Sequence, residues 1–294
     1  MSLSERNGEM ETRGYKIFNV FNVLIFIILS AIMLIPLINV LCLSLEPEYI
    51  ASEIGVIHLI PKEITFKAYA AVWAKGAIKT AFFNSVFVTT IGASLAVFVT
   101  AMLGYALSND EVMGVKAISY FVLFTIMFSG GIIPSYLLMK NLNLIDSLWS
   151  LIIPAMVSAY NTILMKSFFK SLPKSLNESA MIDGANEVTI FFKIIIPLSM
   201  PIIATITLFY AVGRWNSFFD AVMYITNRDK KTLQVLLREI LVQSVNTDTG
   251  TDIVDLGQNV RMATAVVAIV PILCVYPFLQ KYFTKGVLIG AVKG

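Results

Sequence analysis

Apolar positions in this chain do not alternate with polar ones; they gather into long uninterrupted runs. Six stretches carry no charged residue: Ile17–Leu45, Ala81–Leu107, Ala117–Met139, Ser147–Met165, Ile194–Gly213 and Met262–Gln280. A helix needs about 20 mostly apolar residues to cross roughly 30 Å of hydrocarbon. Barrel strands would instead show segments of about ten residues with alternating polarity. The pattern therefore predicts an all-α integral membrane protein with six transmembrane helices. Pro36, Pro134, Pro154, Pro197, Pro201, Pro271 and Pro277 lie in or at the edges of these runs. Spanning helices tolerate them because packed neighbours re-satisfy the freed backbone groups.

The organisation expected is a cytoplasmic N-terminus at 1–16 and spans at 17–45, 81–107, 117–139, 147–165, 194–222 and 262–280. An external loop at 46–80, a cytoplasmic loop at 166–193, an external segment at 223–261 and a cytoplasmic tail at 281–294 connect or flank them. A single transmembrane domain covers 81–285. The first run is too long for the apolar core of a cleavable signal, about 7–15 residues, and is expected to stay as an anchor. Lys166, Lys170, Lys174 and Lys193 concentrate positive charge in one short loop. By the positive-inside rule this places both termini in the cytoplasm.

Composition sharpens the class. Hydrophobic residues make up 57% and charged residues 14%, against roughly 45–50% and about 25% in soluble domains. Mean hydropathy is +0.79 over the whole chain. A soluble enzyme, a disordered protein and a nucleic-acid binder are all excluded by this balance. A net charge of +3 with no Lys/Arg-rich run adds no case for an anionic polymer partner. Cys42 and Cys274 lie inside apolar stretches and read as small buried hydrophobes, not as a disulfide or metal pair.

The segment Lys166–Lys193 is longer than a connector requires, and amphipathic. Pro173 suits a first helical turn, and Ser175-Leu176-Asn177-Glu178 fits a capping box. Gly184 can end the helix at positive φ, and Asn186 or Ala185 restarts the chain toward Ile196. The segment reads as helix, tight glycine bend, helix. From this pattern alone, a surface helix lying at the headgroups is the plainer interpretation.

At these residues the chain resembles a known family. Glu178-Ser179-Ala180-Met181-Ile182-Asp183-Gly184-Ala185, followed by Ile194-Ile195-Ile196-Pro197, is similar to the EAA loop of ABC importer permeases. Ser179 and Ile196 depart from that pattern conservatively. Asn84-Ser85 resembles the opening of the core domain in that family, and Trp215-Asn216-Ser217-Phe218-Phe219-Asp220-Ala221 resembles the end of the fifth span in its sugar permeases. The Gly286–Gly294 tail is similar to that of the maltose-type smaller subunit. Ser129-Gly130-Gly131-Ile132-Ile133-Pro134-Ser135-Tyr136 resembles permeases for complex or acidic oligosaccharides such as aldouronates.

The resemblance implies a permease subunit in a bacterial cytoplasmic membrane. A second permease subunit, with a heterodimer expected, two cytoplasmic ATPase subunits and an extracytoplasmic solute-binding protein would be its partners in the bilayer. It also implies that Glu178, Ser179, Ala180, Asp183, Gly184, Ala185 and Pro197 couple the chain to the ATPase. No Gly-x-x-x-x-Gly-Lys-Ser/Thr loop occurs, so no cofactor is expected on this chain. ATP and magnesium would sit in the separate ATPase, and no catalytic or metal residue is expected here.

For an oligosaccharide path, aromatic faces beside polar side chains are sought, which singles out Tyr136, Asn161, Arg214, Trp215, Asn216, Asp220 and Tyr224. Intramembrane charges such as Arg214 and Asp220 are costly and tend to face a cavity or partner. Trp215 and Tyr224 equally suit interfacial belts, and Tyr136 and Asn161 suit helix–helix hydrogen bonds. Arg228, Lys230, Lys231 and Arg238 with Asp248, Asp252 and Asp255 give the 223–261 segment the charge of a docking surface or a solvated loop. His58, the only histidine, reads as a surface or interface residue of the first external loop. The alternatives are a permease for amino acids or peptides in the same superfamily, or a stand-alone secondary transporter, which would favour embedded acids and inverted repeats.

Overall fold

The computed structural model describes residues 13–53, 55–74, 76–243 and 256–291. Among these residues all regular structure is helical: α1 (Arg13–Leu45), α2 (Glu48–Ala51), α3 (Lys67–Ala74), α4 (Gly76–Ser108), α5 (Val115–Met127), α6 (Ile132–Asn141), α7 (Ala159–Ser171), α8 (Lys174–Ile182), α9 (Glu187–Ile190), α10 (Ile196–Leu198), α11 (Met200–Trp215), α12 (Phe219–Tyr224), α13 (Leu233–Gln243) and α14 (Gln258–Ala291). The chain divides into two compact units, 1–72 with 255–266, and 73–254 with 267–294.

Three helical stretches are long and apolar enough to cross a membrane: Ile17–Leu45, Gly76–Ser108 and Gln258–Val275. Two bent pairs, α5 with α6 at 116° and Glu187–Leu198 with α11 at 82°, raise the number to five if each pair is one crossing. The apolar runs are thus not all single rods, and the reasons are local. Phe128 is extended after α5, and Gly131 sits at φ 87° before α6 begins. In the fifth run Pro197 and Pro201 lack the N–H an α-helix needs. One π-helical turn at Phe191–Ile195 and a corner at Ser199 result. The fourth run starts with a 3-10 turn at Leu148–Leu151, and helix resumes only at Ala159.

In the larger unit α4 packs along α7 and α11. Lipid is as apolar as leucine, so spanning helices associate by close packing of small residues more than by hydrophobic exclusion. Gly92, Ala96, Thr100 and Gly104 recur every fourth position on α4 and are all buried. A Cβ at Gly92 would come within 2.7 Å of the Arg214 Nη1, so that contact admits only hydrogen. Met165, Ile190, Ile195, Ile206 and Tyr210 fill the space alongside this small-residue row.

The smaller unit is closed by polar pairs. Glu46 and His58 are both buried, with Nδ1 of His58 2.7 Å from Oε2 of Glu46. The other Glu46 carboxylate oxygen accepts from the Lys62 amide, and the His58 amide donates to Asn39. His58 is therefore an interior residue and not the surface residue the sequence suggests; its partner lies twelve positions away and leaves no local pattern. The Glu48 carboxylate accepts from the Gln258 and Asn259 amides, capping the start of α14. Both cysteines are free, Cys42 buried and Cys274 exposed, so only Cys42 fits the expectation of a buried hydrophobe.

Candidate functional site: a helical elbow and a clamped crossing

Pro173 stands at the N-cap of α8 without a side-chain cap bond. The helix starts one residue ahead of Ser175, so the capping box expected at Ser175–Glu178 does not form. The other end of α8 is fully determined. Gly184 has φ 81°, its amide donates to Met181 O at 3.0 Å, and the Ala185 amide donates to Ala180 O at 2.9 Å. These two bonds make a Schellman closure, which depends on a left-handed residue that glycine supplies without strain. Asn186 then caps α9, its Oδ1 accepting from Thr189 N at 2.8 Å.

The elbow has an inner and an outer face. Ala180, Ile190 and Phe191 join the α4–α7–α11 core. The Tyr105 ring lies 5.2 Å from Phe191, and its hydroxyl donates to Glu187 at 2.6 Å. Glu178, Ser179, Asp183 and Gly184 are exposed, Ala185 is half-buried, and Met181 and Ile182 are 48% and 86% exposed. Pro197 sits in α10, just before the 82° corner. A rigid bend anchored from within thus presents two bare apolar side chains beside two carboxylates.

Among the solute-path candidates the structure separates buried from exposed. Arg214 is 7% exposed, and its guanidinium donates to the carbonyls of Leu151, Ile152 and Ala155. Trp215 is buried, with Nε1 donating to Ala268 O at 2.8 Å. Asn161 and Tyr224 are buried as well. Tyr136, Asn216 and Asp220 are exposed, Asn216 Nδ2 donating back to Val212 O. These seven residues are not gathered into one cluster.

Sequence reasoning missed two groups. Tyr210, one turn before Arg214, shares a hydrogen bond with Thr100 and accepts from the Ser158 amide at 2.9 Å. Asp146, left-handed at φ 56°, accepts from the Asn227 and Thr226 amides, while Lys230 Nζ donates to its carbonyl. Asn84 donates to the carbonyls of Asp229 and Lys231, and Ser85 accepts from the Leu233 amide. The Asn84-Ser85 pair is therefore a tether for the 224–233 segment. Of the charges in 223–261, Asp248, Asp252 and Asp255 lie outside the described residues. Arg228 and Lys230 are exposed, Lys231 pairs with Glu239, and Arg238 lies over the Phe218 ring.

The Asn227 and Thr226 amides hold the Asp146 carboxyl below the usual carboxylate range. A depressed folded-state value means the contribution is fully present above the unfolded value of about 3.9 and is lost as pH falls through the folded one. Asp146→Ala is expected to speed hydrogen exchange at the Thr226 and Asn227 amides at pH 7, where the parent stays protected. The parent should lose that protection only below about pH 4. Unchanged exchange in the variant would remove Asp146 as the anchor.

Broken apolar helices around a small-residue seam, with an anchored amphipathic elbow at one end, define a helical membrane protein of the transport class. The chain belongs to the family described as "Binding-protein-dependent transport system inner membrane component", which matches residues 102–289. It is 41% identical over 285 residues to the polygalacturonan/rhamnogalacturonan transport system permease protein YtcP of Bacillus subtilis (strain 168), covering 93% of this chain and 98% of that one. It is 40% identical over 296 residues to the protein LplC of the same organism, covering 99% and 100%. A solved bacterial ABC transporter for import of the acidic polysaccharide alginate superposes with a TM-score of 0.85 at 31% identity, over 93% of this chain and 99% of the other. The chain is a membrane permease component, not an enzyme.

Proposed function

We propose that this chain is one of two permease subunits, in a heterodimer, of an ATP-driven importer that passes an oligosaccharide from an extracytoplasmic binding protein through the membrane by alternating access. Its six crossings run with both termini in the cytoplasm, and the elbow at 174–190 docks one of two ATPase subunits, which hold the ATP and magnesium. The observation that carries this reading is the elbow itself. The bend is Schellman-locked and its inner residues pack into the core with α4, α7 and α11, so a shift of those helices would carry it along. Such an element has one packing in each state and transmits rigid-body motion. Exposed Met181 and Ile182 flanked by Glu178 and Asp183 suit a protein cleft better than water, since bare apolar patches mark contact surfaces.

A complex, acidic plant-wall or related oligosaccharide is the solute favoured, because the relatives above are named for polygalacturonan and rhamnogalacturonan transport and for alginate import. Tyr136, Asn216 and Asp220 stay as solute contacts, whereas Arg214, Trp215, Asn161 and Tyr224 serve the scaffold. The tethered 224–233 segment, with Arg228 and Lys230 outward, forms part of the binding-protein dock. The test is purification from the native host followed by reconstitution in vesicles. An ATPase and a second six-span chain should co-purify, and uptake should require ATP and the binding protein. Uphill transport by the isolated chain would overturn the reading.

A further inference from the structure

Non-helical backbone in the middle of a bilayer poses a hydrogen-bonding problem that lipid cannot solve. The fourth apolar run contains such a stretch: from Ile152 to Ser158 the chain is not helical. Of helix α7 only 159–165 lies inside the apolar run 147–165, about 10 Å at 1.5 Å per residue. The interruption therefore falls in the middle of the fourth run. Two α11 residues one turn apart bracket it. Arg214 takes the carbonyls of Leu151, Ile152 and Ala155 at 2.8, 3.3 and 2.9 Å, and the Tyr210 hydroxyl takes the Ser158 amide.

Between those clamps the amides of Ala155 and Val157 and the carbonyls of Pro154, Met156 and Val157 have no partner among the described residues. Ile153, Pro154, Ala155 and Val157 are exposed, and the Tyr160 ring just beyond is 62% exposed. Free main-chain polar groups exclude lipid from this face. Beside an open aromatic ring they make the mixture a sugar requires, hydroxyl partners together with an apolar platform for its C–H face.

We propose that the interruption at 153–157 lines the solute path, its main-chain groups meeting hydroxyls of the carbohydrate and Tyr160 meeting a ring face. Arg214 and Tyr210 are the positioning residues that hold it open. The proposal rests on the importer reading above.

The test uses the complete reconstituted importer with Cys42→Ala and Cys274→Ser, carrying Ala155→Cys or Val157→Cys, and a charged membrane-impermeant methanethiosulfonate reagent. Labelling should be at least about tenfold faster than at Ile27→Cys on the exposed apolar face of α1, because a thiol in lipid does not ionise. It should also change several-fold between nucleotide-free and vanadate-trapped states. Tyr160→Ala should raise the half-saturating solute concentration about tenfold, the scale of one lost aromatic contact, and Tyr160→Phe no more than about twofold. Arg214→Leu should abolish the state dependence, and Arg214→Lys should restore part of it. Labelling as slow as at Ile27→Cys in both states, or rapid labelling indifferent to nucleotide, overturns the proposal. If the cysteine-free parent carries no oligosaccharide at all, the importer reading is what fails.

Discussion

The double variant Glu178→Lys with Gly184→Val is expected to hydrolyse ATP with its partners yet import solute at least about tenfold more slowly, an energy cost near 1.4 kcal/mol or more in the coupled step. Valine at the φ of 81° seen for Gly184 is held in a left-handed conformation that costs a β-branched residue on the order of 1–3 kcal/mol. The bend relieves this by opening, which releases the Ala185–Ala180 and Gly184–Met181 bonds and re-aims the exposed face of α8. Glu178 is exposed on that face, so lysine there reverses a charge on the proposed docking face. Insertion should persist, since neither position lies in an apolar run. Uptake and ATPase rates in proteoliposomes, with membrane abundance measured in parallel, make the check. Uptake within about twofold of the parent, well under 1 kcal/mol, would remove the elbow as the coupling element.

Loss of the Arg214 clamp should have the largest effect on stability. Arg214→Ala leaves the carbonyls of Leu151, Ile152 and Ala155 without their donors. Hydrogen bonds to a charged group contribute about 1.5–3 kcal/mol each in soluble proteins, but interhelical ones in membranes average nearer 0.6. A total of about 2–4 kcal/mol is expected between those limits. The same geometry makes a sharper demand on Gly92, whose added Cβ would stand 2.7 Å from Arg214 Nη1 and 2.8 Å from its Cζ. Gly92→Ala should cost about 1–3 kcal/mol in the parent, the usual cost of overpacking. It should be nearly neutral in the Arg214→Ala background. Thermal unfolding of the four proteins in detergent gives the double-mutant cycle. Additive costs would mean that the two residues do not share this space.

Much of the membrane architecture was legible because its cause is local. Apolar length decides whether a segment can enter hydrocarbon, and the runs at 17–45, 81–107 and 262–280 each fall inside one long helix, α1, α4 and α14, the last continuing to Ala291. The bend at Gly184 was equally readable, since a glycine after an amphipathic turn and an Asn two residues on carry their own geometry. The start of α8 lies two residues before the one the Ser175–Glu178 spacing suggests: that spacing fits a capping box with its N-cap at Ser175, yet the N-cap is Pro173. For the site, the partners of the candidates were not legible. Arg214 is singled out because intramembrane charges tend to face a cavity or partner, and Trp215 as an aromatic face or belt residue. In the structure both side chains donate to main-chain carbonyls.

The chain's sequence by itself determined that it resides in a membrane, where its apolar runs begin and end, and where the elbow turns. Each of these follows from a handful of consecutive residues. Only the tertiary structure decided that the third, fourth and fifth runs are broken, that His58 is interior beside Glu46, and that Asp146 holds the 226–227 turn. Arg214 meets Leu151 across 63 positions and Asp146 meets Thr226 across 80. A hydrogen bond of that reach is chosen by which backbone groups a folded neighbour leaves unpaired, and no window along the chain records it.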